Sequence, residues 1–515
     1  MKMLLALYIV WAAVLSDKGY VEGFQRPFQC NANRMITMGY PAISGPKSVN
    51  DRIAIVGAGI SGVHMASLLK ERGFKNVKIF EQRNEVGGKA YSRFYRGVYN
   101  EFGTIFMTDT YDQVARLVRR YTPRSRIKSK NKSSLMVKDF EFTTWAERLA
   151  LNTGERSPQA ALRKIKATVE RYDRIHRCLF GNYSFELMPR PTPDVMRQIQ
   201  GTVQDFLERH DLMLIAPIFR TYLTTNGYGF INDTAAIYGL AWVIPEVIKG
   251  TFTPENGFWI LEGAFQSIVT EMAKQNNLNV HLGTNVERIQ RFPGPGGIQI
   301  TYSTKGHPTI RTENFDFLIL SPAMSSLLNI VDFNAKERNL FSRLYNGNFV
   351  TTLIESDNGI RGNDAQTYYN DAVDQDSYPV YLTYNFYHAQ NNITREDHRL
   401  GIRENGPDRN PQETQMYYQY GYEKPWAKDT DFMIQSKLAA FLKKFRKTNP
   451  RILEQIKWGY YFPRFSAEDA DRGYLWDVLD MQGQFNTWYI GSSVSFESME
   501  SVIEYNNLLM SLFYS

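Results

Sequence analysis

The sequence is poor in the residues that build metal and disulfide frameworks. Two cysteines, Cys30 and Cys178, and seven histidines are scattered over 515 residues. No Cys/His spacing fits a zinc or iron–sulfur site, so no metal is expected. Two cysteines can pair in an oxidising compartment or persist as buried thiols, and either way they form no disulfide framework. Long apolar runs are also scarce. The one of note, Met3–Leu15, follows Lys2 and precedes Ser16-Asp17-Lys18. It is short for a bilayer span and has the form of a secretory signal peptide, expected over residues 1–20. The expectation is a secreted protein, or one of an endomembrane lumen or organelle, without a transmembrane segment and with at most transient membrane contact. A net charge of +7 with no reader motif excludes nucleic acid as a partner. Asn131, Asn182, Asn232 and Asn392 open glycosylation sequons, which gain weight if the chain enters the secretory route.

What is present is an ordinary globular composition. With 43% hydrophobic and 22% charged residues, the length suits two or three domains with ample core. One stretch organises the rest. The apolar run Ile53–Val56 leads straight into Gly57-x-Gly59-Ile60-Ser61-Gly62. Helical spacing follows over Val63–Arg72, then Gly73, then a second strand, Val77–Phe80, closed by Glu81. This is a complete strand–turn–helix–strand unit with dinucleotide spacing. Gly57 permits the tight turn, Gly59 lets a pyrophosphate reach the backbone, and Gly62 lets the helix pack on the strand. The helix N-terminus offers unpaired N–H groups and the positive dipole end to phosphates. Glu81 stands where a carboxylate takes ribose hydroxyls, which favours FAD or NAD over NADP.

Further along, Val86-Gly87-Gly88-Lys89 resembles the second glycine pair of the flavin-containing amine oxidase and phytoene desaturase superfamily. The resemblance implies FAD, with Lys89 near the pyrophosphate and Gly103-Thr104 passing the flavin ring. Two later stretches extend it. Glu262–Gln266 opens a helix before Val280–Ile289, read as one strand whose backbone meets adenine near Val286. Thr487–Gly491 is a strand entering a turn, and Ser498–Phe513 is a helix. By resemblance, free N–H groups around Met499, Glu500 and Ser501 face the flavin pyrimidine edge. The implied fold is α/β: a Rossmann-like FAD-binding domain of amine-oxidase type with a discontinuous substrate domain of mixed sheet plus helices. The expected segments are a signal peptide (1–20), an N-terminal arm (21–50), FAD-binding parts at 51–119, 256–330 and 456–515, a helical substrate part at 120–255 and a second substrate part at 331–455. Within the helical part, Pro193–Arg209 reads as one helix capped by Thr192.

The chemistry is narrowed by departures from the oxidases. Flavin oxidases present Gly-Glu at the last strand, where this chain has Gly491-Ser492-Ser493. Amine oxidases place a lysine near flavin N5 from a strand that, by order along the chain, is expected near Asn348–Ile354, which carries none. The chain is more similar to flavin-dependent polyunsaturated fatty acid isomerases of bacteria and red algae. The matching pieces are Gly87-Gly88-Lys89, Asn226–Phe230, Tyr460–Pro463 with Ser466-x-Glu468-Asp469, and Met481-Gln482-Gly483. That resemblance implies redox-neutral transposition of double bonds in a free polyunsaturated fatty acid, with flavin N5 as the reacting atom and no protein acid or base required. Aromatic pocket candidates are Phe106, Tyr228, Tyr460, Tyr461 and Phe496, although packing is the commoner role for rings of this kind. The basic run from Arg119 to Lys132 reads as a solvated face, with Lys132 as candidate for the substrate carboxylate. The alternative is a secreted FAD-dependent amine or L-amino-acid oxidase that makes hydrogen peroxide.

Overall fold

The computed structural model describes residues 40–514 other than 96–97, 130–132, 137–141, 144, 184, 186, 225, 253–256, 296, 357–366, 371–379, 384–412, 422–431, 433–434, 437, 440–441 and 444–448. The expected signal peptide, most of the expected arm, Cys30, Asn131, Lys132 and Asn392 lie outside the described residues.

Ile53–Val56 is uninterruptedly apolar because β1 (Arg52–Val56) is flanked by strands on both sides and buried on both faces. Gly57-x-Gly59 turns the chain into α1 (Ile60–Glu71), which returns to β2 (Asn76–Phe80). Two further helices, α2 (Asp112–Tyr121) and α3 (Phe265–Gln275), precede β3 (Asn279–His281) and β4 (Phe317–Leu320). A long antiparallel pair, β5 (Tyr345–Ser356) and β6 (Arg451–Arg464), leads to β7 (Thr487–Tyr489) and the closing helix α4 (Met499–Tyr514). The parallel sheet has the order β3-β2-β1-β4-β7. Its order reverses between β1 and β4, so the crevice at their carboxyl ends is where such sheets take ligands.

Helix α4 packs against α1 by a polar lock as well as apolar contact: Asn506 Nδ2 donates to the Ser61 carbonyl at 2.8 Å. A three-stranded antiparallel sheet, Thr284–Arg291, Ile298–Thr304 and His307–Phe315, stands beside the parallel one. A second antiparallel sheet carries β5 between Glu413–Gly421 and β6. A run of helices lies in sequence between Trp145 and Gly250, with Pro158–Phe180 the longest of them. Cys178 in that helix is disulfide-bonded, and the sequon residues Asn182 and Asn232 are exposed.

Three local expectations are corrected. Pro193–Arg209 is two helices, Pro193–Ile199 and Val203–Arg209. Gly201 at φ +85° breaks them, and Thr202 starts the second with a capping box to Asp205. The stretch Val280–Ile289 is likewise two strands in different sheets, separated by Gly283 at φ +60°. His307–Phe315, not expected, is a strand pairing with Ile298–Thr304.

Candidate active site

The glycine loop is held open by its neighbours. Gly57 lies at φ +96° and donates its N–H to the Phe80 carbonyl at 2.8 Å. A Cβ on Gly62 would sit 2.0 Å from the Gly57 carbonyl oxygen, so only glycine lets α1 begin this close to the strand. The buried Glu81 carboxylate accepts the N–H of Ala58 at 2.7 Å on one oxygen and that of Arg83 at 2.8 Å on the other. Each oxygen keeps a lone pair for a hydroxyl. The second glycine pair closes over the first. Gly87 donates to the Ala58 carbonyl at 2.9 Å, and a Cβ on Gly88 would lie 2.9 Å from Gly59 Cα. Gly103 in turn slides under this segment, where a Cβ would be 1.8 Å from the Lys89 carbonyl oxygen.

These elements frame a cavity of about 580 Å³, within the size range of cofactor sites. Gly57, Gly59, Ile60, Ser61, Glu81, Gly88, Lys89, Thr104, Val286, Gly491, Met499 and Tyr460 all line it. Gly62 serves the turn rather than the wall. Glu500 and Ser501 do not line it. Buried Glu500 turns to α2, accepting the N–H groups of Gln113 and Val114 at 2.8 and 2.9 Å. The Ser501 N–H is capped by Ser498 Oγ at 3.0 Å, so it is not free as expected. Burial pushes the Glu500 carboxyl up to about 7, against the pull of the two backbone donors.

A second, smaller pocket of about 50 Å³ adjoins the first and shares Lys89, Thr104, Glu497, Ser498 and Met499 with it. Phe106, Tyr111, Asn226, Tyr228, Trp242, Phe349 and Tyr461 complete its wall, with Gly103 and Ile105. Tyr461 stacks on Phe349 with ring centroids 4.7 Å apart and faces Tyr228 at 6.2 Å. Burial drives the phenols of Tyr228 and Tyr461 far above their ordinary range, so both stay neutral. Phe496 lies behind Trp242, stacked on it at 6.0 Å, and lines a separate apolar pocket of about 20 Å³ with Phe185, Ile237 and Leu475. Tyr460 is not in the inner pocket. Successive residues of β6 point to opposite faces, which sends Tyr461 inward and leaves Tyr460 half-exposed at the rim of the larger cavity.

The sequence did not flag Glu497. Its carboxylate grips Lys89 Nζ at 2.6 and 2.7 Å and accepts the Phe462 N–H at 2.9 Å. Nothing in the local pattern marks it, since its partners come from strands far away in the chain. Phe349 and Trp242 were missed for the same reason. Among the described residues, no group of three or more His, Cys, Asp or Glu could hold a metal ion, and no helix is long and apolar enough to cross a membrane.

Residues 60–328 match the family described as flavin containing amine oxidoreductase. The chain belongs to this family. Its cofactor is FAD, and the cradle fits it: an open crevice at the sheet's switch point, a glycine loop at a helix N-terminus, a buried carboxylate at the end of the second strand and glycine pairs with no side chain to fill the crevice. The chain is 24% identical to the polyenoic fatty acid isomerase of Ptilota filicina, over 90% of this chain and 95% of that protein. It is 23% identical to prenylcysteine oxidase 1 of Rattus norvegicus, over 62% of this chain and 67% of that one. Among solved structures, a fatty acid isomerase from P. acnes that produces CLA superposes with a TM-score of 0.72 at 20% identity, covering 91% of this chain and all (100%) of that one. Putrescine oxidase superposes with a TM-score of 0.61 at 14% identity, covering 90% and 99%. The family-type fold thus spans both isomerases and oxidases.

Proposed function

We propose that this flavoprotein isomerises free polyunsaturated fatty acids, moving methylene-interrupted double bonds into conjugation. The observation that carries the reading is the inner pocket beside the FAD cavity. It is walled by aromatic rings, and β5, the strand from which an amine oxidase would extend a lysine, offers Phe349 instead. The similarity to an algal polyenoic fatty acid isomerase along nearly the whole chain supports it.

Bound FAD would supply reversible two-electron chemistry, in which hydride lost from the bis-allylic carbon would return at the far end of the five-carbon unit, so that no external oxidant is consumed. The protein's part is placement. The loop Gly57–Gly62 and the Gly87-Gly88 pair would hold the pyrophosphate, Glu81 would hold ribose, and Gly103-Thr104 with the start of α4 would lie toward the ring. Phe106, Tyr228, Phe349 and Tyr461 exclude water and turn aromatic faces toward the transient positive charge on the substrate. The pocket is smaller than a fatty acid, so entry requires some of these rings to turn. The disulfide at Cys178 and the apolar leader Met3–Leu15 support a secreted or lumenal location.

The test is an ultraviolet scan of the FAD-loaded protein with arachidonate under anaerobic conditions. A conjugated-triene spectrum is expected. A flat spectrum, with peroxide formed from an amine panel in air, would overturn the reading in favour of an oxidase.

A further inference from the structure

We infer that Lys89 and Glu497 are positioning residues that form a polarised partition between the FAD cavity and the inner pocket, with Lys89 favouring negative charge on the flavin and Glu497 favouring positive charge on the substrate. The substrate half of this inference rests on the isomerase reading; the flavin half does not.

Both residues belong to the wall common to the two cavities. The pair is directional. Lys89 Nζ also lies 3.4 Å from Ser492 Oγ, and Ser492 lines the larger cavity alone. Glu497 is tied to the other side. Its second oxygen accepts the Phe462 N–H at 2.9 Å, and its backbone carbonyl accepts the Tyr228 hydroxyl at 3.1 Å. Phe462 itself packs on Tyr228, a ring of the inner wall, at 5.2 Å, which ties this end to the aromatic side. The ammonium also sits over the Tyr461 ring, 5.3 Å from its centroid.

The Glu497 side chain is only 7% exposed and that of Lys89 32%. A largely buried ion pair is poor evidence for stability, because desolvation offsets its attraction and apolar replacements often do as well. Catalysis gives it a reason. Hydride departure moves negative charge to the flavin side and leaves positive charge on the inner side. A fixed pair with its cation toward the flavin and its anion toward the substrate matches that separation without reorganising, which is where electrostatic stabilisation acts most strongly. Among the described residues the rest of the inner wall carries no charge: it is made of rings, apolar side chains, the polar Thr104, Asn226 and Ser498, and the phenols of Tyr228 and Tyr461, which burial keeps protonated.

The experiment compares FAD-loaded wild type with Glu497→Gln, which keeps an acceptor for the Phe462 N–H while removing the charge. Two quantities are measured: the midpoint potential of the bound FAD, and anaerobic kcat and KM for arachidonate conjugation. The potential should become more positive, because Lys89 is no longer neutralised, while kcat falls at least tenfold with KM nearly unchanged. These opposite directions are the signature: loosened packing would not raise the potential while slowing the reaction. An unchanged or lower potential overturns the flavin half, and an unchanged or higher kcat overturns the substrate half. The double variant Lys89→Met/Glu497→Gln removes both charges and guards against an unstable single variant. It should return the potential toward wild type and leave kcat low; wild-type kcat would refute the inference. If wild type itself forms no conjugated product, the isomerase reading fails, and the potentials still decide the flavin half.

Discussion

The cofactor loop makes a prediction that separates folding from binding at two glycines three residues apart. Gly59 has an ordinary backbone, φ −71° and ψ 178°, and a Cβ there would meet only Gly88 Cα at 3.7 Å and the Gly87 carbonyl oxygen at 3.9 Å. Both are normal contact distances, so the protein accepts Gly59→Ala without rearrangement. The methyl group instead stands between the first glycine loop and the second glycine pair, where the pyrophosphate must approach the backbone. Losing one charge-assisted hydrogen bond costs about 1.5–3 kcal/mol, so the FAD dissociation constant should rise roughly ten- to 150-fold. Gly62→Ala differs in kind: its Cβ would lie 2.0 Å from the Gly57 carbonyl oxygen. Strand and helix must separate by more than an ångström, a destabilisation of about 3 kcal/mol or more.

The assay is thermal denaturation with and without FAD, paired with a fluorescence titration. Apo Gly59→Ala should melt like apo wild type. At FAD one hundred-fold above the wild-type dissociation constant, wild type gains about 2.7 kcal/mol, and Gly59→Ala should gain less than half of it. Gly62→Ala should melt early even without FAD. If Gly59→Ala binds FAD at wild-type affinity, or if the two variants lose apo stability equally, the assignment of distinct roles to these glycines is wrong.

Glu101 provides a pH test: it is half-buried, accepts from Ser92 Oγ and the Phe265 N–H, and removal of its carboxyl from water pushes it up to about 8. Because the folded value lies above the unfolded one, its penalty is absent below about pH 4.5, grows as pH rises, and is complete above pH 8. Glu101→Gln should therefore match wild type in denaturant near pH 5 and exceed it near pH 9, by on the order of 3 kcal/mol; parallel pH profiles would refute this. Arg291 is buried against Glu337 and Tyr489, tying the three-stranded antiparallel sheet to β7. Arg291→Met should cost about 3–5 kcal/mol by stranding the Glu337 charge, and a loss under 1 kcal/mol would show the pair to be dispensable. Trp242 is buried between the inner pocket and the pocket beyond Phe496, and its Nε1 donates to the Tyr222 carbonyl at 3.0 Å. Trp242→Ala should cost about 3–5 kcal/mol and shift kcat/KM toward longer acids; no shift across a chain-length series would mean that the substrate does not run that way.

The parts that were legible in the sequence are those whose physics is local. The loop from β1 to β2 carries its own turn glycines, its helix and its acid within thirty residues, and each acts on a neighbour in sequence. Gly201 and Gly283 were in plain view too, yet periodicity ran through both, because a single glycine is tolerated in a helix or strand until tertiary contacts fix a positive φ. Tyr460-Tyr461-Phe462 shows a different limit. With aromatics at consecutive positions the alternation has no visible phase, and only pairing with β5 decides which ring enters the pocket. Glu497 was the least legible of all. Its meaning lies in a lysine 408 positions earlier and in the N–H of a strand residue held at φ +48°.

That division bears on the choice between oxidase and isomerase. The legible part, the FAD cradle, is common to both chemistries and cannot separate them. The discriminating part is the face the substrate meets. Amine oxidation leaves an amine whose protons must be managed, and it benefits from a lysine or another titratable group near the ring. Here β5 presents Phe349, the nearby phenols are held neutral by burial, and the one carboxylate, Glu497, is committed to Lys89 and to the Phe462 N–H. A described pocket wall whose lysine and carboxylate are paired with each other suits a reaction that moves only hydride and positive charge. The corresponding expectation is a conjugation rate nearly independent of pH between 6 and 8, roughly the range in which an amine oxidase responds to the ionisation of its substrate or base. A steep dependence of kcat across that interval would point to a titrating group outside the described pocket wall, such as Glu500, which burial holds near 7 next to Met499.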